Sequence, residues 1–416
     1  MVYYYEGVLI PLRQKEFQVG VGARGNWSDL YPRWLGTREF LLRHRNPYNP
    51  EVTRDIQQGF YGRVIEPARS HDPKDPQAFA YPLYVSFLLA PLIFFPFNSV
   101  RIVFTAILFL VTIASVVLWI RALGLQVHRR TILLAVVGTV CSFAVVDGLH
   151  LQQMTLLAAG LLAASLAALA SGQLFWAGVV LGLASLKPQL VLLVIGFLLM
   201  WTGSEWRSRK WFAIGLGGSI AALVAGSEML LPGWFHSWWQ AMQAYREYVK
   251  PSLLHSLLGQ RAGLAVGLAT IFGCAVLFWK VRRERPGSQG FDVAVLSALV
   301  VTVLLLPNAG GGKYNQVLLL PAVLWLSIRG WKLTKRSRLA RVTALLALNV
   351  FAWQWILASA VCFAVLTLHH AFEREATPFV ASPELLVFLF PLTLCLVFLS
   401  LIPEILRWRP QVGSAQ

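Results

Sequence analysis

The chain has 416 residues, of which 57% are hydrophobic and only 13% charged. A soluble globular domain carries roughly a quarter charged residues, so this composition excludes a fold that faces water all round and makes the bilayer part of the solvent. The net charge of +17 invites a nucleic-acid reading, but the clustered cations sit in short gaps between apolar segments, and no separate basic domain exists to hold nucleic acid.

In chain order, the opening MVYYYEGVLIPL is too short and too polar to cross a bilayer. Residues 25–63 mix Asp29, Arg33, Arg38, Glu39, Arg43, Arg45, Asp55 and Arg63 with Trp27, Tyr31, Trp34, Tyr48 and Tyr61. From Asp29 to Arg43 the spacing is helical, with Tyr31, Trp34, Leu35, Arg38, Leu41 and Leu42 on one broad face. It reads as an amphipathic helix lying on the membrane surface. Asn46-Pro47-Tyr48-Asn49-Pro50 stops it, since proline lacks a backbone donor and restricts the residue before it. Segment 79–98, FAYPLYVSFLLAPLIFFPFN, is long enough to span, yet Pro82, Pro91 and Pro96 break a regular helix. It reads as a re-entrant or interfacial helix.

Apolar runs then fall near 100–122, 131–147, 153–170, 174–186, 188–202, 211–231, 262–280, 291–306, 316–329, 340–368 and 384–403. They lack the strict alternation of barrel strands, and helices satisfy their own backbone in hydrocarbon. The expected fold is therefore all-α, a polytopic transmembrane helical bundle of about 11 spans. Run 174–186 is short, and Lys187-Pro188 after it predicts a polar kink between two short helices. Cation clusters at 128–130, 207–210, 280–285, 329–341 and 407–409 all fall on one side of this walk, the positive-inside signature of cytoplasmic loops. The division is an outer-face first loop, 1–98, and a transmembrane bundle, 99–416. A loop this long normally follows a span that exports it. That favours an N-terminal helix upstream of residue 1 over translocation without a leader. Cys141, Cys274, Cys362 and Cys395 lie inside apolar runs without metal or redox spacing and read as small buried hydrophobes.

Several stretches carry a resemblance: SDLYPRWLGTREFLLRHRNPY, then FAYPLYVSFLLAPLIFFPF, then LHLQQMTLLAAGLLAASLAALASGQLFWAGVVLGLASLKPQ, LLHSLLG and LLLPNAGGGKYNQVLLLPA. Together, in this order over most of residues 25–330, they resemble glycosyltransferase family 87. That family comprises GT-C-type enzymes taking sugars from polyprenyl-phosphate donors. The resemblance implies that Asp29 is the general base, accepting the proton of the attacking hydroxyl. It implies that Lys187, with Arg33, meets the donor phosphate and stabilises departing charge. Gln152, Tyr48, Tyr314, Asn315 and His255 would line the substrate cavity, with Gln153, Asp147 and His150 as neighbours. Where the family often carries histidine, this chain reads Lys313-Tyr314-Asn315. That departure argues against a histidine-based role and leaves Lys313 to contact phosphate. Implied partners are the polyprenyl-phosphate-sugar donor (mannose or arabinose first), a lipid or glycan acceptor and membrane lipids. The enzyme would work at the extracytoplasmic face of an inner membrane, by inverting single displacement without a cofactor.

Blander readings stand beside these. Asp29 fits the N-cap of a helix beginning at Leu30, and that role is compatible with catalysis. The arginines of 33–45 fit headgroup anchors, Lys187 a snorkelling cation, and PGWFHSWWQAMQAYREYVK an interfacial aromatic belt. His236 and His255 lack partners at metal-ligand spacing. Gly310-Gly311-Gly312 lacks the Gly-Lys-Ser/Thr of a phosphate loop. The chief competing function is a secondary transporter, disfavoured because no repeat of two matching halves is visible. A polymerase or ligase of lipid-linked glycans is third.

Overall fold

The computed structural model describes residues 1–18, 28–66, 72–73, 75–307, 312–334, 337–367 and 382–407. Among these residues every regular element is helical and none is a strand. A π-helical turn, Tyr4–Leu9, leads into α1 (Ile10–Gln18), followed by α2 (Tyr31–Arg43), α3 (Pro50–Tyr61) and α4 (Val85–Leu89). Next come α5 (Phe97–Ala122), α6 (Arg129–Val140), α7 (Phe143–His150), α8 (Met154–Ala170) and α9 (Leu174–Ala184). Then follow α10 (Leu192–Ser204), α11 (Trp206–Leu230), α12 (Trp234–Tyr248), α13 (Leu253–Leu258), α14 (Gln260–Val281) and α15 (Gln289–Leu305). The chain closes with α16 (Leu320–Trp325), α17 (Trp331–Thr334), α18 (Arg338–Thr367) and α19 (Ser382–Arg407).

The all-α expectation holds, and the span count is met only in part. Four helices, α5, α11, α14 and α18, are long and apolar enough to cross a membrane. The pair α6 and α7 makes a fifth if taken as one span, bent by 55° at its break. Helices α8, α9, α10, α15 and the Phe388–Pro403 part of α19 are apolar but only 10–17 residues long. A straight helix needs about 20 residues for a ~30 Å core.

The α6–α7 break falls inside a run read as continuous, and α18 repairs it. Gln354 Oε1 accepts from the Phe143 amide at 2.8 Å, and Trp355 Nε1 donates to the Cys141 carbonyl at 2.8 Å. In an apolar surrounding such repair is what makes a broken helix tolerable. Expected span 316–329 is likewise irregular: a 3-10 stretch, Lys313–Leu319, runs into α16 and then a π turn, Leu326–Gly330.

The first segment departs most from expectation. Helix α2 does not lie on a surface: Trp34, Thr37, Glu39 and Phe40 are buried. A Cβ on Gly36 would stand 2.5 Å from the Phe79 ring. Glu39 tolerates burial because Arg43 and Arg45 reach it at 2.9 and 2.8 Å. The helix ends at Arg43, with His44 left-handed at φ 54°, before the proline turn. Segment 79–98 is broken as its prolines require, into α4 and a 3-10 turn, Ala90–Leu92, neither able to cross alone. The N-terminal stretch buries Tyr4, Tyr5, Val8 and Leu9 against Phe143, Val146, Ala358 and Val361.

Small residues set the closest helix pair. In α9, Gly178 abuts α11, where an added Cβ would stand 2.2 Å from the Phe212 carbonyl oxygen. In α11, a Cβ on Gly215 would stand 2.1 Å from the Phe175 carbonyl oxygen. Dispersion and close backbone approach, rather than hydrophobic burial, hold helices together in lipid. At one end of the bundle the inter-helix turns are cross-bonded. Arg209 reaches the carbonyls of Trp201 (2.8 Å) and Arg282 (3.1 Å). Arg329 reaches those of Leu123 (3.2 Å) and Gly287 (2.6 Å) as well as Asp292 (3.1 Å). Arg209 and Arg329 thus sit at this far end, and the polar site lies at the other.

Candidate active site

The site is built where α2, the α7–α8 turn, the end of α9 and the start of the 3-10 stretch converge. The α7–α8 turn carries the unusual residue: Gln152 is left-handed at φ 51°, a conformation sparsely used outside glycine. This turn sends two adjacent glutamines apart. Gln152 Nε2 folds back onto the carbonyls of Leu149 and His150, both 2.7 Å, and onto Thr105 Oγ1 at 3.1 Å. Gln153 points into the site instead. Its Nε2 donates to Asp29 Oδ2, and its Oε1 accepts from Lys187 Nζ at 3.1 Å. An amide has one donating and one accepting end, so one side chain joins a carboxylate to an ammonium.

Asp29 is buried and its main chain is fixed twice. Its amide donates to the Leu151 carbonyl at 3.0 Å, and its carbonyl accepts from Arg33 Nη1 at 2.7 Å. It does not cap α2: the N-cap position is Leu30, with no side-chain capping bond, and Ser28 Oγ accepts from the Leu30 amide at 3.2 Å. The Arg33 guanidinium stands 4.6 Å over the Tyr81 ring.

Lys187 follows the end of α9, and Pro188 opens the 3-10 turn Pro188–Leu190 before α10, which gives the expected kink its physical form. Its Nζ donates to Thr155 Oγ1 at 2.6 Å, and the Thr155 hydroxyl donates to Asn315 Oδ1 at 3.0 Å. The rings of Tyr314 and Tyr81 lie 4.9 and 6.0 Å from the ammonium. Buried ammonium groups are tolerated when paired in this way.

Other residues support the site from behind. Tyr48 Oη donates to the Tyr81 carbonyl at 2.7 Å, and Tyr84 Oη to the Ser185 carbonyl at 2.8 Å. They tie segment 79–92 to the turn after α2 and to the end of α9. Burial raises the Tyr48 phenol well above its ordinary range, so it stays a donor. From α12, Tyr245 comes within electrostatic reach of Arg33 and Asp29; burial, with Asp75 adding, pushes its phenol up to about 12.

Of the residues singled out from sequence, Asp29, Arg33, Lys187, Tyr314 and Asn315 come together, and Tyr48 stands behind them. Three do not join. Gln152 turns away, for the reason just given. Lys313 lies over the rings of Phe143 and Phe388, 5.8 Å from each. His255 Nδ1 pairs with Ser252 Oγ at 2.7 Å, at the N-cap of its own helix. Asp147 and His150 face the N-terminal stretch, where Tyr5 Oη donates to Asp147 and His150 Nδ1 meets Glu6 at 2.6 Å. Glu39 and Asp55 serve Arg45. Loop carboxylates Asp72 and Asp75 are engaged by Arg63 (2.8 Å) and Gln77 (2.8 Å). Thr155, Tyr81 and Tyr245 escaped sequence reading. Thr155 carried the one usable signal, a hydroxyl opening an apolar helix.

A membrane protein whose helices enclose one paired acid and ammonium has the layout of an enzyme acting on a charged substrate at a bilayer. The sequence profile of glycosyltransferase family 87 matches residues 79–307, over half of the chain. The chain belongs to that family. No curated protein and no solved structure matches it. Tyr81, Gln153, Thr155 and Lys187 lie inside the matched stretch, Asp29 before it, and Tyr314 and Asn315 after it; the fold brings all three portions together.

Proposed function

We propose that this glycosyltransferase moves a sugar, mannose or arabinose first, from a polyprenyl-phosphate donor to a hydroxyl of a lipid or glycan acceptor. The observation that carries the reading is the Asp29–Gln153–Lys187 chain, which holds a carboxylate and an ammonium on opposite ends of one amide. Asp29 takes the proton of the acceptor hydroxyl as its oxygen attacks the anomeric carbon. The bond from that carbon to the phosphate oxygen breaks, and the electron pair leaves with the lipid phosphate. Lys187 and Arg33 lie where the leaving charge develops. One displacement inverts the anomeric centre. Cations at the far end fit a cytoplasmic face under the positive-inside rule, and this supports a site at the outer face of an inner membrane.

The test is sugar transfer by membranes containing the protein, supplied with labelled polyprenyl-phosphate mannose, glucose or arabinose. Asp29→Asn, inserted at the parent's level, should lower transfer at least ~100-fold. Transfer that survives the substitution removes Asp29 as the base. Transfer from none of the three donors by the parent refutes the donor class.

A further inference from the structure

Two cations stand against one carboxylate in the site. Asp29 and Lys187 are buried and Arg33 is half-buried. Arg33 and Lys187 share the Tyr81 ring, 4.6 and 6.0 Å from its centre, and Lys187 lies within electrostatic reach of both Arg33 and Asp29. The charged groups on neighbouring elements have other contacts. On α2, Arg38 lies 5.4 Å over the Trp34 ring, and on α12, Arg246 lies 5.8 Å over Trp239. On α7, Asp147 accepts from Tyr5 and His150 meets Glu6. Lys313 stands 5.8 Å from the rings of Phe143 and Phe388, and Asp75 accepts from Gln77 at 2.8 Å. From the remaining walls Tyr81, Tyr245 and Tyr314 contribute rings and phenols.

The inner site thus carries one net positive charge, and a buried charge is costly until an opposite one meets it. A phosphodiester brings one negative charge. A phosphomonoester brings about two once its second proton is lost, near pH ~6. With a lipid phosphodiester in place the site is neutral. Transfer preserves that neutrality through the path of the proton. The acceptor oxygen bonds the anomeric carbon and its proton passes to Asp29, while the electron pair of the broken carbon–oxygen bond stays on the phosphate. A neutral acid and two cations then face a dianion, and the charges again cancel. Once Asp29 gives that proton to water, its carboxylate adds a further negative charge beside the dianion.

We propose that the return of this proton from Asp29 to water is what expels the lipid phosphate product; the inference rests on the function proposed above. Asp29 then has two tasks separated in time. As a carboxylate it takes the proton, and as a neutral acid it tolerates the dianion that the transfer has made. The Gln153 amide serves both forms, because its Nε2 donates to an oxygen that either form presents. The other end of the same amide accepts from Lys187 at 3.1 Å, so the ammonium keeps its place throughout.

Binding tests this without any transfer. Radiolabelled polyprenyl phosphate and its methyl ester share one chain and carry about two and one negative charges at about pH 8. Their dissociation constants and release rates are measured on the full-length protein in detergent micelles. Asp29→Asn stands in for the neutral acid and keeps an oxygen to accept from Gln153. Coulomb energy scales with the product of the charges. Losing the Asp29 charge should therefore strengthen the methyl ester by one factor and the monoester by about that factor squared. The ratio of the two constants should move at least ~10-fold toward the monoester, and monoester release should slow in step. Lys187→Gln, which removes a cation, should move the ratio the other way. Equal strengthening of both ligands by Asp29→Asn, no strengthening, or a Lys187→Gln shift in the same direction overturns the proposal and leaves the donor class standing. A parent that binds neither ligand refutes the donor class, and this inference with it.

Discussion

Replacing Gly178 by alanine tests the α9–α11 contact most directly. The new methyl carbon would lie 2.2 Å from the Phe212 oxygen and 2.6 Å from the Leu216 nitrogen. Ordinary contact begins at 3.4 Å, so the helices must part by about 3.4 − 2.2 = 1.2 Å. Both obstructing atoms are backbone, and no flexible tip can move aside. Overpacking of this kind costs roughly 1–3 kcal/mol, against about 1 kcal/mol recovered from the better helix propensity of alanine. The net loss against the parent is roughly 0–2 kcal/mol, and against a glycine-to-alanine control that gains the same propensity it is roughly 1–3 kcal/mol, at about 2–4 °C in melting midpoint for each kcal/mol. The assay is thermal unfolding in detergent micelles. Gly217→Ala in α11 is the control, because nothing lies within 4 Å of its Cβ position; it should be neutral or slightly stabilising. Gly215→Ala should behave like Gly178→Ala. The double variant should cost less than the sum, since one separation makes room for both methyls. A Gly178→Ala protein as stable as the Gly217→Ala control would refute the reasoning.

Two further outcomes follow from the described contacts. Gln153→Leu removes both bonds of the acid–ammonium bridge and should lower transfer ~100-fold, whereas Gln152→Gly, which keeps the left-handed turn, should lose about 1 kcal/mol of stability and retain transfer; equal losses of transfer would refute the division between the neighbours. At the far end, Arg329→Met strands the buried Asp292 and should cost ~2 kcal/mol, less than the 3–5 of a fully buried pair because Arg329 is 31% exposed. Adding Asp292→Asn should restore most of the loss in the same melting assay.

Asp29 and Lys187 were singled out through the family resemblance, and the fold joins them through one amide. The choice between Gln152 and Gln153 was not legible in the sequence. Identical neighbours differ only through a left-handed backbone at the turn, and no propensity reports that for glutamine. The burial of α2 was misread because Glu39 looks like a surface residue until Arg43 and Arg45 are seen to neutralise it. The α6–α7 break was hidden because Gln354 and Trp355, which satisfy it, lie some 210 residues later. The short helices α9 and α10 were visible, since Lys187-Pro188 interrupts the apolar run between them.

The site's contacts reach across the order of synthesis. Gln153 meets Asp29 across 124 positions, and Thr155 meets Asn315 across 160. A nascent chain inserted from its N-terminus already holds its acid when α2 enters, but it cannot complete the surroundings of Lys187 until residue 315 has left the ribosome. A partly made chain therefore carries the acid without the finished pocket, and the last polar piece arrives only after α15 has been placed.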